Sequence, residues 1–130
     1  MLDADVLISD ERGVFDLPRW LATRQDLQFE LAASTVAELL HGLERASGAH
    51  RAKRRAYIDT ALAVFRVIPF TVETARIHAR LWAELESSGQ MIGAHDLILA
   101  ATAIQTESAV ATFNLRHFAV VKGLVVIEPV

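Results

Sequence analysis

Three acidic residues stand out by their place in the pattern of the chain. Asp3 follows the apolar pair Met1–Leu2, Glu38 lies three residues after Thr35 at the front of an amphipathic stretch, and Asp96 precedes Leu97–Gln105, a run of mostly small and apolar residues. Separations of 35 and 58 residues mean that only a fold can collect them. Three clustered carboxylates cannot all ionise without strong mutual repulsion unless a cation is present, so such a cluster suits a hard metal ion. All-oxygen ligation selects Mg²⁺ or Mn²⁺ over zinc. A cation held this way lowers the pKa of a bound water and stabilises charge developing at phosphorus, which is the chemistry of phosphodiester hydrolysis. Each residue also has a plainer reading. Thr35-x-x-Glu38 has the spacing of a capping box, Asp96 at a helix start complements the helix dipole, and Asp3 and Asp5 are loop acids after a strand. The coincidence of all three at strand exits or helix entries favours a shared site.

The elements that must position them alternate. Met1–Leu2 reads as the end of a short strand, with a turn or helix beginning at Val6–Ile8. Leu17, Trp20 and Leu21 give Asp16–Gln25 helical spacing, and Leu27–Ala32 alternates as a strand. Ser34 or Thr35 is expected to cap a helix running to about Ala46, followed by a helix over Arg51–Phe65 and a strand over Val67–Phe70. Thr71 caps Val72–Ser87, which Gly89 ends. Asp96 opens the mostly apolar helix, and Ala109–Thr112 and Leu124–Ile127 are short buried strands flanking a brief helix. This order predicts an α/β/α sandwich with a mainly parallel central sheet of about five short strands, and ligands in such sheets lie beyond the strand carboxyl ends.

Composition narrows the class further. A chain of 130 residues, 52% hydrophobic and 22% charged, supports a single domain over residues 1–130 and excludes a disordered or low-complexity protein. The absence of cysteine excludes a disulfide framework, a thiolate zinc site and a cysteine nucleophile, and fits a reducing, cytoplasmic setting. No uncharged run approaches the ~20 residues that span a bilayer, and the N-terminus carries no basic-then-apolar signal, so no membrane partner is expected. The net charge of −3 conceals segregation: Arg45, Arg51, Lys53, Arg54 and Arg55 form a basic window with no acid inside it. That window reads as a solvated helix face, as a surface steering nucleic-acid phosphates, or as a partner contact. Trp20, Trp82 and the phenylalanines read as core or interface anchors. The five histidines lack a paired metal spacing, with His95 and His117 flanking the proposed site.

Four segments taken in order resemble the signatures of the PIN-domain family: Leu2-Asp3-Ala4-Asp5-Val6-Leu7-Ile8, Ser34-Thr35-Val36-Ala37-Glu38-Leu39-Leu40-His41-Gly42, His95-Asp96-Leu97-Ile98-Leu99-Ala100-Ala101-Thr102-Ala103 and Thr112-Phe113-Asn114-Leu115-Arg116-His117-Phe118. Their spacing and the chain length are similar to the VapC toxins of type II toxin–antitoxin modules. The resemblance implies a Mg²⁺- or Mn²⁺-dependent endoribonuclease, partnered by a VapB-type antitoxin and forming a homodimer. It implies that Asp3, Glu38 and Asp96 are catalytic and metal-site residues; Thr112, Asn114, Arg116 and His117, expected at the same edge, are candidates to contact substrate. Two of the segments depart from the pattern. Asn114 and His117 stand in the segment where the family carries a fourth acid, and Ala4 replaces a hydroxyl residue. Two other readings compete: a non-catalytic PIN-fold binding module, and a haloacid-dehalogenase-like phosphatase suggested by Asp3-x-Asp5.

Overall fold

A computed structural model describes residues 1–130. In chain order the elements are α1 (Ala4–Glu11), α2 (Leu17–Ala22), β1 (Glu30–Ala32), α3 (Ala33–Glu44), α4 (Gly48–Val64), β2 (Arg66–Ile68), α5 (Val72–Ser88), α6 (Ala94–Gln105), β3 (Val110–Ala111), α7 (Leu115–Ala119) and β4 (Val126–Ile127). Two parallel pairs, β1 with β2 and β3 with β4, make up the regular ladders. Residues 1–3 join them. Leu2 donates its N–H to the Glu30 carbonyl at 3.0 Å, Ala111 donates to the Met1 carbonyl at 2.8 Å, and Asp3 donates back to the Ala111 carbonyl at 2.9 Å. The mainly parallel arrangement is as expected, but the sheet is slighter than five continuous strands, with an N-terminal segment that contributes a single parallel bridge, Leu2 to Ala111.

Pleating distributes the strand side chains to two cores. Met1, Ala32 and Val110 point to one face, beside Leu81 and Leu85 of α5 and Leu97, Ala100 and Ala101 of α6. Their neighbours Leu2, Leu31 and Ala111 point to the other, beside Leu7 of α1, Trp20 of α2, Leu39 and Leu43 of α3 and Ile58 of α4. This one-residue alternation on three adjacent segments is the sandwich itself.

The spatial order is β2, β1, residues 1–3, β3, β4. The chain moves outward from its N-terminal segment to one side, then crosses to the other. The reversal lies between residues 1–3 and β3, and ligand sites of open parallel sheets form at the carboxyl ends of strands around such a point.

Several helix starts differ from the sequence reading. Neither Ser34 nor Thr35 caps α3. Because β1 runs into α3 with no loop, the cap position falls on Ala32 in extended backbone, and no side chain caps the helix. The Thr35-x-x-Glu38 capping box therefore does not form, which frees Glu38 for another role. Helix α6 starts at Ala94 behind Gly93, so Asp96 lies in its first turn rather than opening it. Helix α4 begins at Gly48, three residues before Arg51. Helix α5 agrees closely: Thr71 and Thr74 close a reciprocal cap, and Gly89 ends the helix at φ 68°.

Candidate active site at the carboxyl edge

Asp3 ends the N-terminal extended segment and caps α1, its Oδ1 accepting the Ala4 N–H at 2.8 Å. It is 4% exposed, and its Oδ2 accepts the Thr112 hydroxyl at 2.8 Å. Asp5 follows in the first turn of α1. Its Oδ2 accepts the Phe113 N–H at 3.0 Å and lies 3.2 Å from the same Thr112 hydroxyl, while its Oδ1 is buried without a partner. Thr112 is fully buried, and its oxygen also accepts the Asn114 N–H at 3.0 Å. One hydroxyl proton is thus shared between two carboxylates.

Asp96 and Glu38 complete the edge from two other helices. Asp96, in the first turn of α6, lies with its Oδ2 2.9 Å from His117 Nδ1 on α7. Glu38, one and a half turns into α3, lies 3.9 Å from His95 Nδ1, which immediately precedes Asp96.

The electrostatics report a shared field. Burial first, and then repulsion from Asp5 and Asp96, pushes the Asp3 carboxyl up to about 7 despite its hydrogen bonds from Thr112 and Ala4. Burial also raises Asp5, against its bonds from Phe113 and Thr112, and the Asp96 charge adds to the rise. Glu38 is raised by burial and by Asp96 and Asp5, with His95 opposing. The charges of Asp96 and Asp5 therefore act on Glu38 as well as on Asp3. No three of these side chains close into a ready ligand set around one point.

Of the sequence-derived residues, Asp3, Glu38, Asp96, Thr112 and His117 meet at this edge. Asn114 meets it through its backbone N–H, and Arg116 is exposed on α7. Thr112, expected to touch substrate, is enclosed and instead bridges two carboxylates. Asp5 is the residue that sequence reasoning left among the loop acids. Its signal was the Asp3-x-Asp5 spacing: with Asp3 as helix cap, the second carboxylate lands in the first turn beside the first. The hydrogen bonds to Asp3 and Asp5 come from Ala4, Thr112 and Phe113 and none from a lysine, the cation that the phosphatase reading requires.

The basic window is partly consumed inside the fold. Arg54 Nε donates to Glu11 Oε1 at 2.9 Å, and Arg51 donates to the Leu43 carbonyl beside Glu44. Arg45, Lys53 and Arg55 remain exposed.

A parallel α/β/α sandwich with an acidic cluster at its switch point defines a class, and comparison with known proteins names it. The PIN domain family model matches residues 1–124, and the chain belongs to that family. Within it, the chain is 30% identical over 128 residues to Ribonuclease VapC1 of Rickettsia felis, covering 98% of this chain and 93% of that one. VapBC2 of Rickettsia felis bound to a promoter DNA fragment shares the fold, with a TM-score of 0.89 at 21% identity and coverage of 98% and 96%. VapBC-5 of Mycobacterium tuberculosis, from the VapBC family of toxin–antitoxin systems, matches at 28% identity with a TM-score of 0.75, covering 98% and 95%.

Proposed function

We propose that this protein is an endoribonuclease dependent on Mg²⁺ or Mn²⁺, acting in the cytoplasm as the toxin of a VapBC-type pair. The observation that carries the reading is the convergence of Asp3, Asp5, Glu38 and Asp96 at the switch point of the sheet. The ribonuclease relative and the toxin–antitoxin neighbour support the two halves of the statement.

The donor set fits a hard divalent cation. It consists of carboxylate oxygens, it leaves Asp5 Oδ1 buried and unpartnered, and its members repel one another when charged. Asp3 and Asp96 would hold the ion, with Asp5 beside them. A bound cation would offset the clustered negative charge, polarise the scissile phosphate and acidify a water.

The remaining work belongs to the chain itself. The Ala4 N–H and the Thr112 hydroxyl fix both oxygens of Asp3, so its carboxylate cannot swing when substrate arrives. The Phe113 N–H holds one oxygen of Asp5 and leaves the other free. Glu38 is half-buried, and no hydrogen bond ties its carboxylate. It orients the attacking water and takes its proton, a role suited by a carboxyl whose proton affinity is raised above the ordinary range. His95, beside Glu38, and the exposed Asn114 and Arg116 are the groups that would meet an incoming RNA phosphate. An antitoxin segment that covers this edge displaces that phosphate.

Self-association as a homodimer is supported by an exposed apolar strip along α5. Phe70, Val72 and Trp82 are each 46–70% exposed, and Phe70, His78 and Trp82 stack edge to face at 5.9 and 5.8 Å. Expression in a bacterial host tests the functional reading. Wild type arrests growth and shortens cellular RNA, whereas Asp96→Asn does neither; arrest by a stably folded Asp96→Asn protein would refute it.

A further inference from the structure

His117 stands in the segment where the sequence pattern of the family carries an acid, yet its imidazole is aimed at the acidic cluster rather than away from it. Helix α7 has only five residues, and Phe118, fully buried, anchors it against the core. On the helix so anchored, His117 Nδ1 lies 2.9 Å from Asp96 Oδ2. The imidazole is 55% exposed, so packing alone does not dictate this position.

The distance itself is informative. Two ligands in adjacent positions on an octahedral ion, each bound at about 2.1 Å, lie about 3.0 Å apart. Asp96 Oδ2 and His117 Nδ1, which hydrogen-bond to each other, already have that separation, so an ion that displaces the proton between them reaches both once the exposed imidazole turns off the N···O line. The other imidazole differs. His95 Nδ1 is 3.9 Å from Glu38 Oε1, too far for adjacent ligation and too far for a direct hydrogen bond.

We propose that His117 is a direct nitrogen ligand of the divalent ion, adjacent to Asp96, which makes this a mixed nitrogen–oxygen site rather than an all-carboxylate one. The inference rests on the cation-dependent reading above and adds to it a consequence for metal choice. Mg²⁺ favours oxygen donors, whereas an imidazole nitrogen adds more to the binding of transition ions. This chain therefore prefers Mn²⁺ over Mg²⁺, and the preference resides in His117. A neutral ligand leaves the net charge of the loaded site one unit more positive than a carboxylate would, which strengthens its hold on an incoming phosphate.

Electron spin-echo envelope modulation of the Mn²⁺-loaded full chain tests this directly, because it detects a ¹⁴N nucleus bound to the ion. Wild type shows nitrogen modulation, and His117→Asp binds Mn²⁺ without it. In parallel titrations, the ratio of Mg²⁺ to Mn²⁺ dissociation constants falls in His117→Asp, because the nitrogen donor that favours Mn²⁺ is replaced by oxygen. His95→Gln retains the modulation. Mn²⁺ bound to wild type with no nitrogen modulation, or modulation that survives His117→Asp and disappears in His95→Gln, would overturn the assignment of His117 while leaving the cation site intact. If the free aqueous Mn²⁺ signal is undiminished by millimolar protein, the cation-dependent reading falls as well.

Discussion

Replacing Asp3 by Asn should stabilise the metal-free protein above neutral pH, an unusual outcome for a buried polar residue. The Asp3 carboxyl titrates near 7 in the folded chain against an ordinary value of 3.8. At about 1.4 kcal/mol per pH unit, that displacement corresponds to about 4 kcal/mol if one site carries it all. Sharing of the repulsion with Asp5 and Asp96 makes about 2–4 kcal/mol the expected range. The sign follows from proton linkage. The folded state binds this proton more tightly than the unfolded chain, so its contribution is fully present below about pH 4, declines as pH rises towards 7, and is absent above. Asn avoids that loss and keeps the local bonds. Its carbonyl accepts the Ala4 N–H, and its amide donates to Thr112 Oγ1, whose proton then goes wholly to Asp5, 3.2 Å away. Thermal unfolding in EDTA should therefore show Asp3→Asn melting roughly 10 °C above wild type at pH 8 and near wild type at pH 4.5. Mn²⁺ should close the gap by raising wild type alone, because only wild type keeps the ligand set. An Asp3→Asn protein that melts at or below wild type at pH 8 without metal would refute the claim that the cluster is held together against its own charge.

Other substitutions probe the supports around the site. Thr112→Val strands the Asn114 N–H and removes the proton shared by two carboxylates, so urea unfolding should show a loss of about 2–3 kcal/mol, whereas Thr112→Ser stays close to wild type. Arg54→Ala leaves the Glu11 side chain, 5% exposed, without its guanidinium and should cost about 3–5 kcal/mol, while charge reversal at exposed Lys53 or Arg55 should stay within about 0.5 kcal/mol. Gly42→Ala would place a methyl 2.6 Å from Arg54 Nη1, so it should destabilise by about 1–3 kcal/mol in wild type and by much less when Arg54 is already Ala, as a double-mutant cycle would show. Mn²⁺ affinity measured by titration should strengthen as pH rises to about 7 and then level off, because the ion competes with the Asp3 proton.

The parts of the fold that were legible in the sequence are those governed by local or periodic rules. The cap at Thr71, the stop at Gly89 and the buried run of α6 each follow from residue type and spacing, and they stand where the sequence put them. The alternation of strands and helices placed Asp3, Glu38 and Asp96 on one edge. What the sequence concealed is long-range polar pairing. Thr112 meets Asp3 and Asp5 across more than 100 residues, and Arg54 meets Glu11 across 43, contacts that leave no period behind. The start of α3 was misplaced for a related reason: Ser34 and Thr35 are good caps by type, but the uninterrupted passage from β1 into α3 moves the cap position to Ala32. The slight sheet has its own cause. Residues 1–3 pair on both sides yet cap a helix by the third residue, which leaves no length for a regular strand.

The central claim is that the four carboxylates form a cation-dependent centre for RNA hydrolysis. Its most direct measurement is the cleavage rate of a single-stranded RNA panel by purified protein across an Mn²⁺ titration, with Asp96→Asn in parallel. Wild type should cleave in proportion to bound Mn²⁺ and fall silent in EDTA, and Asp96→Asn should be slower by about a thousandfold or more, the scale set when a central transition-state contact is lost. Equal cleavage by the two proteins, or cleavage undiminished in EDTA, would contradict the account.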